Sequence, residues 1–172
     1  SVIPLDDMDI KIHSVCSIPR DLPLTKTFLQ TLHSFGHPSL WEHFSCDGDG
    51  SWISRGLLMG SLVVVHNGSY MPKLNASVCS AGYLIYCSVT KFMAKGAIVD
   101  RSDTADNYRG EILGEIMVQL IVRAASLCKG MPYLNPTIAC NNKGVLSHGR
   151  SAGVPLGQNQ SQADVLRYFK QL

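Results

Sequence analysis

The chain has 172 residues, enough for one domain with some length left for an extension. With 45% hydrophobic and 16% charged residues its composition is that of a folded core, which excludes a disordered tail. A net charge of +2 does not mark a polyanion-binding surface, so any contact with nucleic acid rests on a local patch.

In chain order, residues 1–23 read as irregular, because Pro4, Pro19 and Pro23 interrupt any helix. Leu24, Phe28, Leu29, Leu32 and Phe35 recur at helical spacing, and Gly36, His37 and Pro38 end that helix. The segment SLWEHF adds a further turn. Asp47 and Asp49 in CDGDGS have a calcium-loop flavour, but the required glycine and distant glutamate are missing, so a solvated turn is expected. Trp52 to Met59 reads as a short helix. Leu62 to His66 is apolar and β-branched, which suits a central strand covered on both faces.

Cys79 to Cys87 and Phe92 to Val99 supply two more strands, close enough in sequence for an antiparallel meander. Asp100 to Asn107 is a polar connection with helix-capping residues. Glu111 to Ala125 is the strongest helix. Ile112, Leu113, Ile116, Met117, Leu120, Ile121 and Ala124 form its apolar stripe, and Glu111, Glu115, Gln119 and Arg123 form the opposite polar ridge. Thr137 to Cys140 is a short strand whose arrival after a helix makes it a parallel neighbour of the first. Ser161 and Asp164 fit a capping box for a last helix, Asp164 to Leu172.

The six cysteines, at 16, 46, 79, 87, 128 and 140, show no CxxC pair or metal spacing. Cys79 and Cys87 on one strand would stand about 27 Å apart and cannot bridge. Reduced, mostly buried thiols in an intracellular protein, cytoplasmic or nuclear, are the expectation. Asp6, Asp7 and Asp9 do not fit a secretory leader, and no apolar run approaches a membrane span, so no membrane partner is expected.

Three strings carry the functional signal: HNGSYM at 66–71, NYRGE at 107–111 and CNN at 140–142. In order, with strand, helix and strand between them, they resemble the ribonuclease H-like domain of retroelement reverse-transcriptase polyproteins, whose matching strings read approximately DGSYM, NYRGE and CDN. The resemblance covers roughly residues 52–172; residues 1–51 form an N-terminal helical extension. It implies an α/β fold with a ribonuclease H-like mixed sheet, a three-strand antiparallel meander plus parallel crossover strands, with flanking helices. It also implies hydrolysis of the RNA strand of RNA:DNA hybrids with two divalent ions, Mg2+ or Mn2+, about 4 Å apart.

By resemblance the catalytic and metal-ligand positions are Asn67, Glu111 and Asn141, and the family's acidic first and third ligands are asparagine here. An asparagine keeps the shape of aspartate and one neutral oxygen but not the charge. A hard cation that prefers anionic oxygens is then held weakly or not at all, and little hydrolysis is expected. A fourth acidic ligand found further along in the family has no counterpart before Leu172. Two histories fit the asparagines: an isosteric replacement made to trap substrate, or natural decay in a domain kept for another role.

Gly68 and Ser69 would let backbone amides approach a phosphate, or form an ordinary turn. Asn107 matches the family asparagine that touches a 2′-hydroxyl, and equally suits a helix N-cap. Arg109, Lys143 and Arg150 are candidate phosphate contacts, though most exposed cations are simply solvated. His66 and His148 flank the expected site; a structural role is the plainer expectation for each. The partners implied are an RNA:DNA hybrid or other nucleic acid and the rest of a reverse-transcriptase polyprotein. A non-catalytic nucleic-acid or protein-binding module on the same fold is the alternative.

Overall fold

The computed structural model describes residues 26–36, 38–132, 134, 136, 138 and 139. Within them the chain forms a mixed α/β fold: a four-stranded antiparallel sheet with helices packed against it. Strand β1 is Ser45–Cys46, β2 is Leu62–Tyr70, β3 is Val78–Cys87 and β4 is Met93–Arg101. A two-residue piece, β5 (Ile138–Ala139), lies beside β2 with Val64 opposite Ile138 and Val65 opposite Ala139. The order across the sheet is β1-β4-β3-β2-β5. The helices are α1 (Phe28–His33), α2 (Ser51–Met59) and α3 (Asn107–Leu127), with a 3-10 turn at Pro38–Trp41.

Local chemistry sets these boundaries. Thr27 caps α1 through a reciprocal box: its hydroxyl accepts from the Gln30 amide at 3.2 Å, and the Gln30 side chain accepts from the Thr27 amide at 2.9 Å. Helix α2 ends at Gly60, whose left-handed φ of 60° lets the Ser61 amide turn back to the Gly56 carbonyl. Asp106 caps α3 by accepting from the Arg109 amide at 2.6 Å. That cap starts the helix at Asn107, four residues before the expected Glu111, and Asn107 is its first residue and not its cap.

The meander pairs without a bulge: His66 faces Tyr83, Asn67 faces Gly82, and Gly82 faces Ala97. Because side chains alternate, Leu62, Val64, His66 and Gly68 point at α3 while Val63, Val65 and Asn67 point to the other face. The strand was expected to be covered on both sides, yet Val63 is 50% and Val65 36% exposed. It also runs three residues past Asn67, so Asn67 sits within the strand rather than at its end.

Helix α3 is buried almost all round, 16 of its 21 residues. One side lies on β2 and β3; the other is covered by α1 and α2, and Phe28, Leu32, Trp41, Trp52 and Ile53 share one core with Ile85, Ile112, Met117 and Ile121. Two residues of the polar ridge are therefore inside, Glu111 at 1% and Glu115 at 7% exposed, while Gln119 and Arg123 are half-buried. Ser45–Cys46 adds to the free edge of β4 opposite Lys95 and Ala94, although Cys46 was expected in a solvated turn. Among the described residues no helix is long and apolar enough to cross a membrane. Cys46, Cys79, Cys87 and Cys128 are free thiols. The expected last helix, Cys16, Cys140, Lys143, His148 and Arg150 lie outside the described residues.

Candidate functional site

Two of the three motif strings meet. Gly68 on β2 lies so close to the start of α3 that a Cβ there would collide with the Glu111 amide nitrogen and stand 2.9 Å from the Asn107 carbonyl oxygen. Gly110 makes the reverse approach, with a hypothetical Cβ 3.2 Å from the Ser69 amide and 2.7 Å from the Ser80 carbonyl oxygen. Only glycines permit helix and strand backbones to touch in this way. Gly68, Ser69, Asn107, Arg109 and Glu111 are thus one neighbourhood. Asn141, the third expected position, lies outside the described residues.

Side-chain direction divides that neighbourhood. Asn67 is exposed on the far face of the sheet. There it lines a shallow depression with His43, Ser45, Val65, Ser69, Leu84 and Lys95. Glu111, the fifth residue of α3, is buried on the helix side. Asn107 is exposed and Ser69 half-buried, so both stay within reach of a ligand.

Arg109, read from sequence as a phosphate contact, is fully buried. Its Nε donates to Asp100 Oδ2 at 2.5 Å, and neither side chain is exposed. The guanidinium is committed inside the fold. The strand alternation that turns Ala94 and Ile98 inward turns Asp100 inward too, opposite Cys79. Burial, reinforced by the Asp100 carboxylate, pushes the Cys79 thiol up to about 12.

His66 forms a second buried polar group under α3. Its Nε2 lies 2.9 Å from Glu115 Oε2, with the ring turned off the ideal hydrogen-bond line, and its Nδ1 lies 3.6 Å from Glu111 Oε2. Gln119 Nε2 donates to the other Glu115 oxygen at 2.6 Å. The ring fits because residue 114 is glycine; a Cβ there would stand 2.9 Å from Nδ1. Across the strand pair Tyr83 is also buried, and burial raises its phenol well above the ordinary value.

Sequence reasoning left out Lys95 and His43, which join Asn67 only through the pairing of β1 with β4 and of β4 with β3. It placed Asp100 in the connection after the strand, whereas β4 runs on to Arg101 and carries Asp100 at an inward position.

A divalent-ion pair needs several anionic oxygens that reach water. The described residues at this place offer one amide and one buried carboxylate on opposite faces of a strand, and they do not fit such a pair. Among the described residues no three His, Cys, Asp or Glu side chains converge as metal ligands. No family model, curated protein or solved structure matches the chain.

Proposed function

We propose that the chain is a ribonuclease H-like domain of the retroelement reverse-transcriptase kind, which engages RNA:DNA hybrids and hydrolyses them weakly or not at all. The observation that carries this reading is the seat of Gly68 against the Glu111 amide, which joins two of the three motif strings at one spot. Exposed Asn107 and half-buried Ser69 are the groups we assign to the nucleic acid. In this reading the domain works inside the cell beside the rest of a polyprotein.

A non-catalytic binding module on the same fold is favoured by one specific observation. Glu111 and Arg109, which would serve catalysis and substrate, are both engaged by partners within the fold. That module binds a nucleic acid or a protein without cutting it.

The test is fluorescence anisotropy with a labelled RNA:DNA hybrid and the DNA duplex of the same sequence, across a salt series. Preference for the hybrid, weakening as salt rises, is expected. Equal binding to both, or none, removes the hybrid reading. Incubation of the bound hybrid with Mg2+ or Mn2+ reports the chemistry: an intact RNA strand is expected, and rapid cutting would show a working metal site that the asparagines argue against.

A further inference from the structure

We infer that the open outer face of the sheet is a platform for single-stranded nucleic acid, on which Lys95 and Arg101 meet phosphates and Tyr86 stacks against a base. The inference goes beyond the hybrid reading: the partner has unpaired bases, and the surface lies across β2 from the seat of Gly68 on α3.

The reasoning starts from charge. Between Asp49 and Asp100 the sequence holds no aspartate or glutamate, and this stretch contains α2 and nearly all of the β2–β4 meander. The outward positions of the three strands carry no carboxylate, and on β4 they carry two exposed cations, Lys95 and Arg101. Six residues apart on one strand, these stand roughly 20 Å from each other at the strand rise, a separation that a chain of repeated charges can bridge. Asp47, just past β1, is occupied by the Met93 amide. Arg109, the phosphate contact expected from sequence, is buried against Asp100, so the cations for a polyanion have to come from another surface.

The rest of the face is largely apolar. Val63, Val65 and Val99 are 50%, 36% and 40% exposed, and Leu84 and Tyr86 on the strand between them are half-buried. Tyr86 stands between Val63 and Met93 across the strands. In the row of Asn67, Gly82 and Ala97 are small and floor a shallow depression of about 650 Å3, which Lys95 also lines. That volume falls within the range of small-ligand sites. A duplex turns its bases inward and would leave this apolar surface without a partner. A single strand sets bases on it and phosphates at the two cations. An apolar peptide without charge would gain nothing from Lys95 and Arg101.

The experiment follows the fluorescence anisotropy of a labelled oligothymidine strand with the full chain across a salt series, for the wild type, Lys95→Ser, Arg101→Ser, Tyr86→Phe and Tyr86→Thr. Saturable binding is expected, with each charge variant lowering the salt slope by about 0.7, the share of one phosphate contact on a single strand. Tyr86→Phe keeps the ring and should bind as the wild type does. Tyr86→Thr, which suits a strand, should weaken binding about tenfold. Arg55→Ser on α2 and Lys129→Ser after α3, at exposed cations away from this face, should leave binding unchanged. If the strand binds but the Lys95, Arg101 and Tyr86 variants match the wild type, or if the two controls lose as much, the face is not the platform and the inference fails. If the wild type binds the RNA:DNA hybrid but not the single strand, the inference fails while the hybrid reading stands. If it binds neither, both fail.

Discussion

The Gly68 backbone rests directly on the amide of Glu111, with no space between them for a side chain. That contact fixes where the long helix crosses the sheet, and so which residues of α3 face β2.

A substitution at Gly68 therefore acts on the backbone of another element, not on a flexible side chain. Gly68→Val is expected to destabilise by about 3 kcal/mol, the upper part of the range for overpacking. Gly82 is the control, because it lies in the neighbouring strand opposite Asn67 and a Cβ there meets nothing within 4 Å. Gly82→Val should be neutral or stabilise by up to about 1 kcal/mol, since valine suits a strand better than glycine. Urea unfolding of the two variants separates them; equal losses would mean the close approach at Gly68 is not tight.

The buried pair of Arg109 and Asp100 makes a different kind of prediction. Asp100→Ala leaves a guanidinium without its carboxylate in a place with no exposure, and should cost about 3–5 kcal/mol. Replacing both partners by apolar residues of similar length, Arg109→Met with Asp100→Leu, should recover a large part of that loss. The double variant in a thermodynamic cycle is the measurement. A double variant no more stable than Asp100→Ala alone would show that Arg109 packs through more than its charge.

Much of the architecture could be read in the sequence, and the misread polar side chains share one physical origin. Helix α3 was legible because Ile112, Met117, Leu120 and Ile121 keep a 3.6-residue period. The burial of Glu111 and Glu115 in its polar ridge was not legible, because His66, which lies beside both, is far away along the chain. Arg109 was read as exposed for the same reason, since Asp100 sits on another element. Local pattern shows that a residue is polar but not what distant group satisfies it. The extra length of β2 was missed because Gly68 looks like a turn residue, whereas here it serves the close approach of a helix.

Cysteine chemistry gives a pH-dependent prediction. Burial raises the Cys87 thiol, but hydrogen bonds from Thr90 and Ser61, each at 3.5 Å, outweigh it and bring the group down to about 7. Burial holds Cys79 up at about 12 and Cys46 up at about 11. Near pH 8, above the first value and below the other two, Cys87 is the thiolate of the three. Alkylation of the native chain with iodoacetamide, read by mass spectrometry, should modify Cys87 before Cys46 and Cys79. Its rate should level off above about pH 8, while the rates at the other two keep rising with pH. Faster labelling of Cys79 than of Cys87 would contradict these environments.

Asp47 offers the last prediction. Its loop resembled a failed calcium site in sequence, and the structure gives the aspartate a different task. Its carboxylate accepts from the Met93 amide at 2.9 Å, its own amide donates to the Met93 carbonyl at 2.9 Å, and its carbonyl accepts from Trp52 Nε1 at 2.8 Å. One residue thus ties β1, β4 and α2 together, while the neighbouring Asp49 accepts from the Ser51 amide at 2.9 Å. Asp47→Ala removes only the side-chain bond to Met93 and should cost about 1 kcal/mol, the usual net value of one partly exposed hydrogen bond. Addition of Ca2+ or of a chelator should leave the thermal midpoint of the wild-type chain where it is, because both carboxylates already face protein amides. A calcium-dependent rise in that midpoint, abolished by Asp47→Ala, would show that the loop binds the ion after all.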